Sequence, residues 1–363
     1  MNLLCDVLLI SSTSLLIIYY LVVFTRIRKS HKSSTENEPV SVVICARNEV
    51  ENLRRNLPLI LDQKYPEFEV VVIDDASWDK TNELLEEISR ENSKLKVVTI
   101  TEEQKRTEGK KMALTLGFKK AKYARFLLTD ADCQPRSNEW IKYMSAMNQE
   151  SIVLGYGAYE KRKGLLNIMI RFDTWSIGVF YLSAAASGFP YMGVGRNLCY
   201  TRNIYEGTGG FKRHYHIASG DDDLFVNQVA RGDNTRIATA PNSHTISSAP
   251  ISWQQWTRQK TRHLSVSKYY TYRSKVFLGV YQLSLSLFYA SIAICLISNR
   301  SSELLLGMVL LKTLIHLLIS IYPSKELKEN DMLALLPVLE PIMLVLNLFF
   351  GLAALTSRNK AWK

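Results

Sequence analysis

The chain has 363 residues, 47% of them hydrophobic, and a formal net charge of +11 at pH 7. This length and apolar content allow one large catalytic domain with additional elements and a full hydrophobic core. The five cysteines are scattered without C-x-x-C spacing, which argues against a zinc site or a disulfide framework and favours isolated buried thiols. The positive charge fits anionic lipid headgroups or phosphorylated substrates better than nucleic acid, because the chain also has apolar segments of membrane length.

Four apolar segments are long enough to cross the hydrocarbon core of a bilayer, which needs about 20 helical residues. They span residues 3–24, 276–298, 304–322 and 332–356. The first lacks a basic leader and a small-residue cleavage site, so we expect a retained anchor rather than a removed signal peptide. The sequence therefore predicts an integral protein of the cell or inner membrane, with an anchor at 1–28, a soluble domain at 29–275 and a membrane region at 276–363.

Basic residues indicate the side of the membrane on which the soluble domain lies. They follow the first span and precede the second: Arg26, Arg28, Lys29, Lys32, Lys268, Arg273 and Lys275. Because loops rich in lysine and arginine remain in the cytoplasm, we expect a cytoplasmic domain. The last span leaves two alternatives open. Strict alternation of three C-terminal spans would put the basic tail at residues 358–363 outside, whereas a re-entrant hairpin around Pro337 and Pro341 would return it to the cytosol.

Between residues 39 and 132, short β-branched runs alternate with helical patterns. The runs read VSVVICA, EVVVID, LKVVTI and ARFLLTD, at residues 40–46, 69–74, 95–100 and 124–130. Near-continuous apolar runs of this length are typical of parallel strands that are covered on both faces. Helical stretches separate the runs, and Asp79 is expected to cap the helix after the second run. The pattern predicts a doubly wound α/β sheet, in which ligands bind beyond the carboxyl ends of the strands.

Polar motifs follow three of these runs: ARNE, DDASWDKT and TDAD. Carboxylates as close in the chain as Asp130 and Asp132 repel one another unless a cation compensates them, so a divalent ion is the simplest explanation. Mg²⁺ or Mn²⁺ takes oxygen ligands and often completes its shell with phosphate oxygens, which suits a diphosphate leaving group. Lys110 and Lys111 could add positive charge to the same phosphates. The alternative is an ordinary solvated basic helix end, chiefly for Lys111.

A second acidic cluster, SGDDDLF at residues 219–225, lies downstream. One of Asp221, Asp222 and Asp223 is expected to cap the helix that begins near Leu224, but a cap does not require three acids. A carboxylate that faces the metal site could accept a proton from an acceptor hydroxyl as a general base. The chemistry would then be attack by an alcohol on a sugar carbon that is bonded to a metal-neutralised nucleotide diphosphate.

The ordered set of motifs resembles the membrane-bound members of glycosyltransferase family 2, which are inverting enzymes of the GT-A fold. The resemblance covers residues 39–263 and rests on VSVVICARNE, VVVIDDASWDKT, GKKMAL, LLTDADCQP, GVGRNLCYTR, SGDDDLF and QQWTRQKTRH. It implies a GT-A domain, to which the apolar segments add one N-terminal and two to three C-terminal transmembrane helices. Because the matches lie at the site residues, they bear on function as well as on fold.

The resemblance implies a donor site for a nucleotide sugar. A pocket for uridine or a similar nucleotide would be formed by Ala46, Glu49, Asp75 and Lys110. Asp130 would contact the ribose or the diphosphate of the donor. Asp132 would hold the Mg²⁺ or Mn²⁺ ion.

The resemblance also implies catalytic and acceptor-binding residues. Asp222 best matches the general base of the family, and Asp221 is the runner-up within the acidic triplet. The GVGRN segment, which includes Gly195 and Asn197, matches a segment that lines the acceptor site, where glycines allow close approach of the backbone. Gln259 belongs to the same acceptor-binding set.

The QKTRH stretch departs from the Gln-x-x-Arg-Trp pattern that the membrane synthases of this family usually carry. Gln259 and Arg262 match it, and Arg262 suits a diphosphate by charge and geometry. His263 replaces the tryptophan that helps to bind the acceptor, which argues against processive polymer synthesis. Trp253 or Trp256 could substitute for that tryptophan, and anchoring at the membrane interface is the alternative for both.

The apolar segment at residues 165–191 is interrupted by Arg171, Asp173 and Gly188. The pattern predicts either a core helix or an amphipathic helix that lies at the bilayer surface and guides a lipid-linked acceptor.

The sequence thus predicts a cytoplasm-facing inverting transferase that moves a hexose-type sugar from a nucleotide diphosphate to a lipid-linked or membrane-proximal glycan acceptor. A processive polysaccharide synthase and a non-catalytic membrane scaffold are the alternatives. A transporter or channel subunit is disfavoured, because the membrane segments carry almost no charges except Lys312 and Glu340.

Overall fold

The computed structural model of the chain describes residues 2–29, 37–105, 109–146, 151–298 and 303–356. Lys32 and the basic tail at residues 358–363, which entered the topology prediction, lie outside these ranges. The cysteines are buried and free, as the sequence predicts: Cys5, Cys45, Cys133, Cys199 and Cys295.

The strands of the soluble domain form a seven-stranded sheet and a three-stranded sheet within the described residues. Their bounds are β1 Val40–Ala46, β2 Phe68–Asp75, β3 Leu95–Ile100, β4 Arg125–Asp130, β5 Cys133–Pro135, β6 Ile152–Gly155, β7 Gly157–Tyr159, β8 Leu198–Thr201, β9 Thr235–Ala238 and β10 Thr245–Ser247. The larger sheet has the order β3-β2-β1-β4-β8-β6-β9, and the smaller one has the order β5-β10-β7. The four predicted strands and their α/β arrangement are confirmed.

The strands β1 to β4 pair in parallel, and β8 runs antiparallel to β4 and β6. Every residue of β1 and β2 is buried, which explains their continuous Val and Ile runs. The register sets Ala46 opposite Asp74, and Cys45 opposite Asp130. The polar motifs that follow β1, β2 and β4 therefore meet at one edge of the sheet.

The helices in the described residues begin and end as follows: α1 Asn2–Ile18, α2 Val50–Leu61, α3 Thr81–Glu91, α4 Lys111–Lys120, α5 Trp140–Met144, α6 Leu165–Ala186, α7 Arg202–Gly207, α8 Asp223–Val229, α9 Trp253–Leu264, α10 Tyr272–Ile297, α11 Glu303–Glu326 and α12 Asn330–Thr356. Asp79 accepts hydrogen bonds from the N–H groups of Thr81 at 2.9 Å and Val50 at 3.3 Å. The N-cap position of α3 is Lys80, so the predicted cap lies one residue earlier and joins the starts of two helices.

Four helical segments are long and apolar enough to cross a membrane. They are Leu4–Arg28, Tyr272–Ile297, Glu303–Glu326 and Asn330–Leu355. The prediction of one N-terminal and two to three C-terminal spans is therefore confirmed, with three at the C-terminal end. The suggested re-entrant hairpin is wrong, because α12 is one continuous helix with Pro337 and Pro341 inside it. Its interior prolines are consistent with membrane helices, where prolines are more frequent than in soluble ones.

The candidate membrane helices pack on the domain through α6 and α9. Most residues of α6 are buried, so the structure selects the core-helix alternative over the surface helix. Arg171 of α6 forms ion pairs with Glu329 and, at 2.8 Å, with Asp331 at the start of α12. Phe350 near the end of α12 packs on Trp256 of α9, with ring centroids 5.2 Å apart. The helix α12 therefore contacts the domain near both of its ends.

Polar side chains of the membrane helices form one buried cluster. The carboxylate of Glu340 accepts hydrogen bonds from Lys312 and, at 2.5 Å, from the hydroxyl of Tyr289. Nδ1 of His316 lies 3.1 Å from the other oxygen of the same carboxylate. Because an unpaired charge in apolar surroundings is costly, this pairing joins α10, α11 and α12 to one another.

Candidate active site

The loops after β1 and β2 are held in an unusual backbone conformation. Asn48 and Ala76 have φ values of 56° and 55°, in the left-handed region that residues other than glycine seldom adopt. The N–H of Asn48 donates to Ser77 Oγ at 2.9 Å, and the N–H of Trp78 donates to Asn48 Oδ1 at 2.9 Å. Backbone strain of this kind clusters at ligand sites, where surrounding contacts maintain it.

The residues predicted to bind the nucleotide lie at this edge. Ala46 is the last residue of β1 and is fully buried. The buried carboxylate of Glu49 accepts a hydrogen bond from Asn52 at 2.5 Å. Asp75 pairs with Lys105 at 3.0 Å, and both side chains are almost completely buried. Sequence reasoning missed Lys105, because its partner lies 30 residues earlier and no local pattern joins the two.

The carboxylates of the D-x-D motif are close enough to share a cation. One ligand atom from each of Asp130, Asp132 and Cys133 lies within 4.8 Å of the other two. Burial raises the pKa of the Cys133 thiol well above its usual value, so this sulfur remains protonated and is a poor ligand for a hard cation. The two carboxylates are the oxygen ligands that Mg²⁺ and Mn²⁺ prefer, and the residues present therefore fit such an ion.

Lys110 contacts the first of these carboxylates. Its Nζ lies 2.6 Å from Asp130 Oδ1. Burial alone would raise the pKa of Asp130, but the adjacent ammonium outweighs it, and the net pKa lies below the usual value. Asp130 is therefore ionised at neutral pH, and this part of the site carries both signs of charge.

The acidic triplet begins a helix and also faces the site. Asp222 is the N-cap of α8, and its carboxylate accepts hydrogen bonds from the N–H groups of Asp223 and Gly195, both at 2.7 Å. The hydroxyl of Tyr270 donates to Asp223 at 2.9 Å. The predicted capping role and the predicted proximity to the site thus occur in the same residue, while Asp221 lines the neighbouring wall.

The triplet is electrostatically strained. Burial, together with the nearby Asp221 carboxylate, raises the pKa of Asp222 to about 6. Burial and the Asp222 carboxylate raise the pKa of Asp223 to about 8. A raised carboxyl pKa means that the protonated form is favoured relative to water. Asp222 is therefore still largely ionised at pH 7, whereas Asp223 is largely protonated there.

The GVGRN segment places its residues on two sides. The N–H of Gly195 binds Asp222, and a Cβ at this position would lie 3.3 Å from the same carboxylate oxygen, which explains the glycine. Asn197 is fully buried, and its amide binds the carbonyls of Tyr156 and Ser243 and the indole of Trp140. The prediction that Asn197 binds the acceptor is corrected, because its side chain is used to fix the segment.

Arg196 lies between Gly195 and Asn197 in the chain and lines the cavity. The sequence did not single it out. Its guanidinium donates to the carbonyl of Gly157 at 2.8 Å and lies over the ring of Tyr159, 4.3 Å from the centroid. Arg196 belongs to the GVGRN motif as well, but the direction of its side chain depends on contacts with β7, which lies about 40 residues earlier in the chain.

The helix α9 carries the QKTRH residues along the cavity wall. Gln259 donates to the hydroxyl of Tyr159 at 3.0 Å. Lys260 forms a buried ion pair with Asp173 of α6 at 2.8 Å. The buried Nε of Arg262 has no hydrogen-bond partner within the described ranges, and His263 also lines the cavity. The arginine therefore offers a donor to an anionic group.

One cavity of about 350 Å³ joins these elements. Charged side chains in its lining include Lys110, Asp130, the acidic triplet and Arg262. Apolar and aromatic side chains in its lining include Ile177 and Tyr181 of α6, Trp256 of α9 and Leu278 of α10. A cavity lined by both charged and apolar side chains can hold an amphiphilic molecule.

Models of two known protein families match the chain. The model described as "Glycosyl transferase family group 2" matches residues 127–355, more than half of the chain, and "Glycosyl transferase family 2" matches residues 41–190. Both matches include the D-x-D motif.

Two relatives and one solved structure are similar to the chain. Probable glycosyltransferase YdaM of Bacillus subtilis (strain 168) is 26% identical over 258 residues, which are 69% of this chain and 60% of that protein. Beta-monoglucosyldiacylglycerol synthase of Trichormus variabilis is 33% identical over 159 residues, which are 42% of this chain and 32% of that protein. The matches therefore span less than two thirds of either relative. The mannosyltransferase PcManGT of Pyrobaculum calidifontis, solved with GDP-Man and Mn²⁺, has a TM-score of 0.57 and 17% identity, covering 94% of this chain and 99% of that one.

The sheet order, the strand-end motifs and the long family match agree with one another. The solved structure shares the fold over nearly the whole length of both chains. The chain therefore belongs to glycosyltransferase family 2, a family of glycosyltransferases, and has the GT-A fold.

Proposed function

We propose that the protein is an inverting, metal-dependent glycosyltransferase that moves a sugar from a nucleotide-diphosphate donor to a lipid-linked or membrane-proximal glycan acceptor. The single observation that carries the proposal is the cavity between the two acidic clusters. Asp130, Lys110 and Asp222 line it, and so do Leu278 of the candidate span α10 and Trp256, which packs on Phe350 of α12.

The charged residues around Asp130 support binding of a diphosphate. Asp130 and Asp132 would hold Mg²⁺ or Mn²⁺, and the bound ion would neutralise negative charge on the departing diphosphate. Lys110 and Arg262 are both near enough to Asp130 to lower its pKa, and they add fixed positive charge beside it. The buried Nε of Arg262, which no described group satisfies, supports a contact with a phosphate oxygen.

The wall of the cavity supports proton transfer by Asp222. A carboxylate with a pKa of about 6 is ionised at neutral pH and is more basic than an ordinary aspartate. The hydrogen bond from Gly195 fixes the direction of one carboxylate oxygen at 2.7 Å. Asp222 would take the proton of an acceptor hydroxyl as that oxygen attacks the anomeric carbon, and the bond to the diphosphate would break in the same displacement, inverting the carbon.

The apolar side chains in the cavity lining support a lipid-linked acceptor. Leu278 belongs to α10, a candidate membrane span, and Trp256 packs on Phe350 of α12. A relative named as a glucosyldiacylglycerol synthase is consistent with such an acceptor. Arg26 and Arg28 lie at the end of the first candidate span that leads into the domain, which supports a cytoplasmic domain.

A processive polysaccharide synthase is the second candidate. His263 stands where such synthases carry a tryptophan, but Trp256 also lines the cavity and offers an aromatic surface for a sugar ring. The length of the product separates the two candidates: a single added sugar supports the first, and a ladder of polymers supports the second.

The test is release of nucleoside diphosphate by the full chain purified in detergent. A panel of nucleotide sugars would be supplied with Mn²⁺, with Mg²⁺ and with a chelator, each with membrane lipid extract as the acceptor source. We expect metal-dependent turnover of one donor by the wild type, retained in a variant of an exposed acid, Asp233→Ala, and lost in Asp132→Ala. If no donor is turned over or bound in a metal-dependent way, the non-catalytic scaffold becomes the better account.

A further inference from the structure

We infer that Lys111 is a positioning residue, which holds the loop that carries Asp222 against the wall of the cavity. The inference rests on the proposed function, because it takes Asp222 as the base. The sequence allowed two interpretations of Lys111, a contact with phosphate or a solvated basic end of a helix. The observed side chain fits neither.

The ammonium of Lys111 is fully engaged by one loop. The residue is only 3% exposed. Its Nζ donates to three backbone carbonyls, those of His214 at 2.8 Å, Ile217 at 2.6 Å and Ser219 at 2.6 Å. An ammonium has three N–H donors, so these contacts use all of them. A phosphate could bind Lys111 only if this loop were released.

The loop at residues 214–219 leads directly into the acidic triplet. Gly220, with a φ of 86°, turns the chain between Ser219 and Asp221. A Cβ on Gly220 would lie 2.6 Å from the side chain of Leu224, so the turn is closely packed. Ala218 and Ser219 line the cavity themselves. The path of this loop therefore sets where the carboxylate of Asp222 points.

A second contact joins the same two segments. Gly109, two residues before Lys111, has a φ of 93°. A Cβ on it would lie 2.0 Å from the carbonyl oxygen of Ala218, so the two backbones touch directly. The start of α4 and the loop at residues 214–219 thus form one packed unit, with Lys111 as its charged centre.

The two adjacent lysines act on the two acidic clusters in different ways. Lys110 contacts the Asp130 carboxylate directly. Lys111 contacts only carbonyls, while Asp221, Asp222 and Asp223 are near enough to raise its pKa against the larger lowering effect of burial. Its charge therefore moderates the repulsion within the triplet without pairing Asp222, which leaves that carboxylate able to accept a proton.

The experiment compares three lysine-to-methionine variants of α4 and its start in the full chain. Lys111→Met removes the loop contacts, Lys110→Met removes the donor-side contact, and Lys120→Met changes an exposed lysine of the same helix as the control. For each we would measure kcat, its pH profile, and the Kd of the nucleoside diphosphate with Mn²⁺. The Kd isolates the donor side of the site from the base.

For Lys111→Met we expect kcat to fall by about 10- to 100-fold, because a displacement of about 1 Å at a reacting group can cost about 100-fold. The Kd should stay within about twofold of the wild-type value, because Lys111 does not contact the donor end. The acid limb of the pH profile should move to higher pH, since a cation that opposes three carboxylates is lost. Lys110→Met should instead raise the Kd, and Lys120→Met should change neither.

The shift of the acid limb separates positioning from general loss of structure, which lowers kcat without moving the limb. The other ionisable groups around Asp222 stay unchanged in Lys111→Met: Asp221, Asp223, Asp130, Lys110, Arg262, His263 and Tyr270. Lys111→Arg keeps the charge and the donors, and it should restore the wild-type limb. If Lys111→Met does not fold, the limb and kcat of Lys111→Arg decide the question.

Three results would overturn the inference. One is wild-type kcat and an unmoved acid limb in Lys111→Met. Another is a rise in Kd equal to the fall in kcat, which would make Lys111 a donor contact. The third is an acid limb in the pH profile of Lys111→Arg that differs from that of the wild type, although this variant keeps the positive charge. Absence of turnover in the wild type is a different result, because it removes the proposed function and the inference together.

Discussion

The two acidic clusters at the cavity contain the same residue type in opposite electrostatic surroundings. Asp130 has an ammonium 2.6 Å away, and the contact keeps its pKa below the usual value in spite of burial. Asp222 accepts hydrogen bonds from backbone N–H groups, and burial beside Asp221 raises its pKa to about 6. Environments that separate the pKa values of two carboxyl groups separate their roles. One cluster is suited to hold charge, and the other is suited to move a proton.

The largest effect on turnover is expected at the D-x-D motif, where the proposed metal ion would be held. In Asp132→Ala, turnover should fall by about 1,000-fold or more, because a bound metal ion contributes several kcal/mol to stabilisation of the transition state. Binding of Mn²⁺, measured by electron paramagnetic resonance, should weaken with it, whereas Asp222→Asn should bind Mn²⁺ like the wild type. Equal loss of Mn²⁺ binding in both variants would remove the distinction between the clusters.

The next largest effect on kcat is expected at Asp222, the proposed general base. Asp222→Asn should lower kcat by about 100- to 10,000-fold, since a general base contributes about that much, with little change in the Kd of the donor. Asp223→Asn is the matched control, because its carboxyl binds the Tyr270 hydroxyl and is largely protonated at pH 7. A larger loss of kcat in Asp223→Asn than in Asp222→Asn would indicate that Asp223, and not Asp222, is the general base.

The pH dependence gives a smaller effect with a fixed sign. In the proposed mechanism the ionised form of Asp222 takes the proton, and the pKa of this carboxyl is raised to about 6. The kcat should therefore be level near pH 7.5 and fall about tenfold for each pH unit below about 6. A stopped assay from pH 4.5 to 8 with saturating donor would measure this. A profile that stays level down to pH 4.5 would assign the proton transfer to another group.

The smallest effect is expected at the glycine that faces the base. Gly195→Ala would place a Cβ 3.3 Å from Asp222 Oδ2, which is closer than most such contacts. We expect kcat to fall by a few-fold, about 1 kcal/mol of displacement cost, with an unchanged Kd for nucleoside diphosphate. Gly207→Ala is the control, because no atom lies within 4 Å of its added Cβ. Equal activity of the two variants would show that Gly195 does not restrain the base.

The sequence alone determined the four strands β1 to β4 and the candidate membrane helices. The runs that became β1, β2 and β4 are apolar over most of their length because both of their faces are covered, and this signal is local. The D-x-D motif and the strand-end motifs were also visible, since residues that bind phosphate and metal must follow the carboxyl ends of parallel strands. The membrane spans were predicted within a few residues for the same reason: length and apolarity are properties of a continuous segment.

Only the tertiary structure decided what the polar side chains near these motifs contact. Asn197 belongs to the acceptor motif, but its amide fixes the segment from behind, whereas Arg196 beside it lines the cavity. Lys111 reads as a basic helix end, yet it binds carbonyls more than 100 residues further along the chain. Burial of α6 and the continuity of α12 were equally open in the sequence. Each of these outcomes depends on contacts between distant segments, and such contacts leave no periodic or local pattern in the chain.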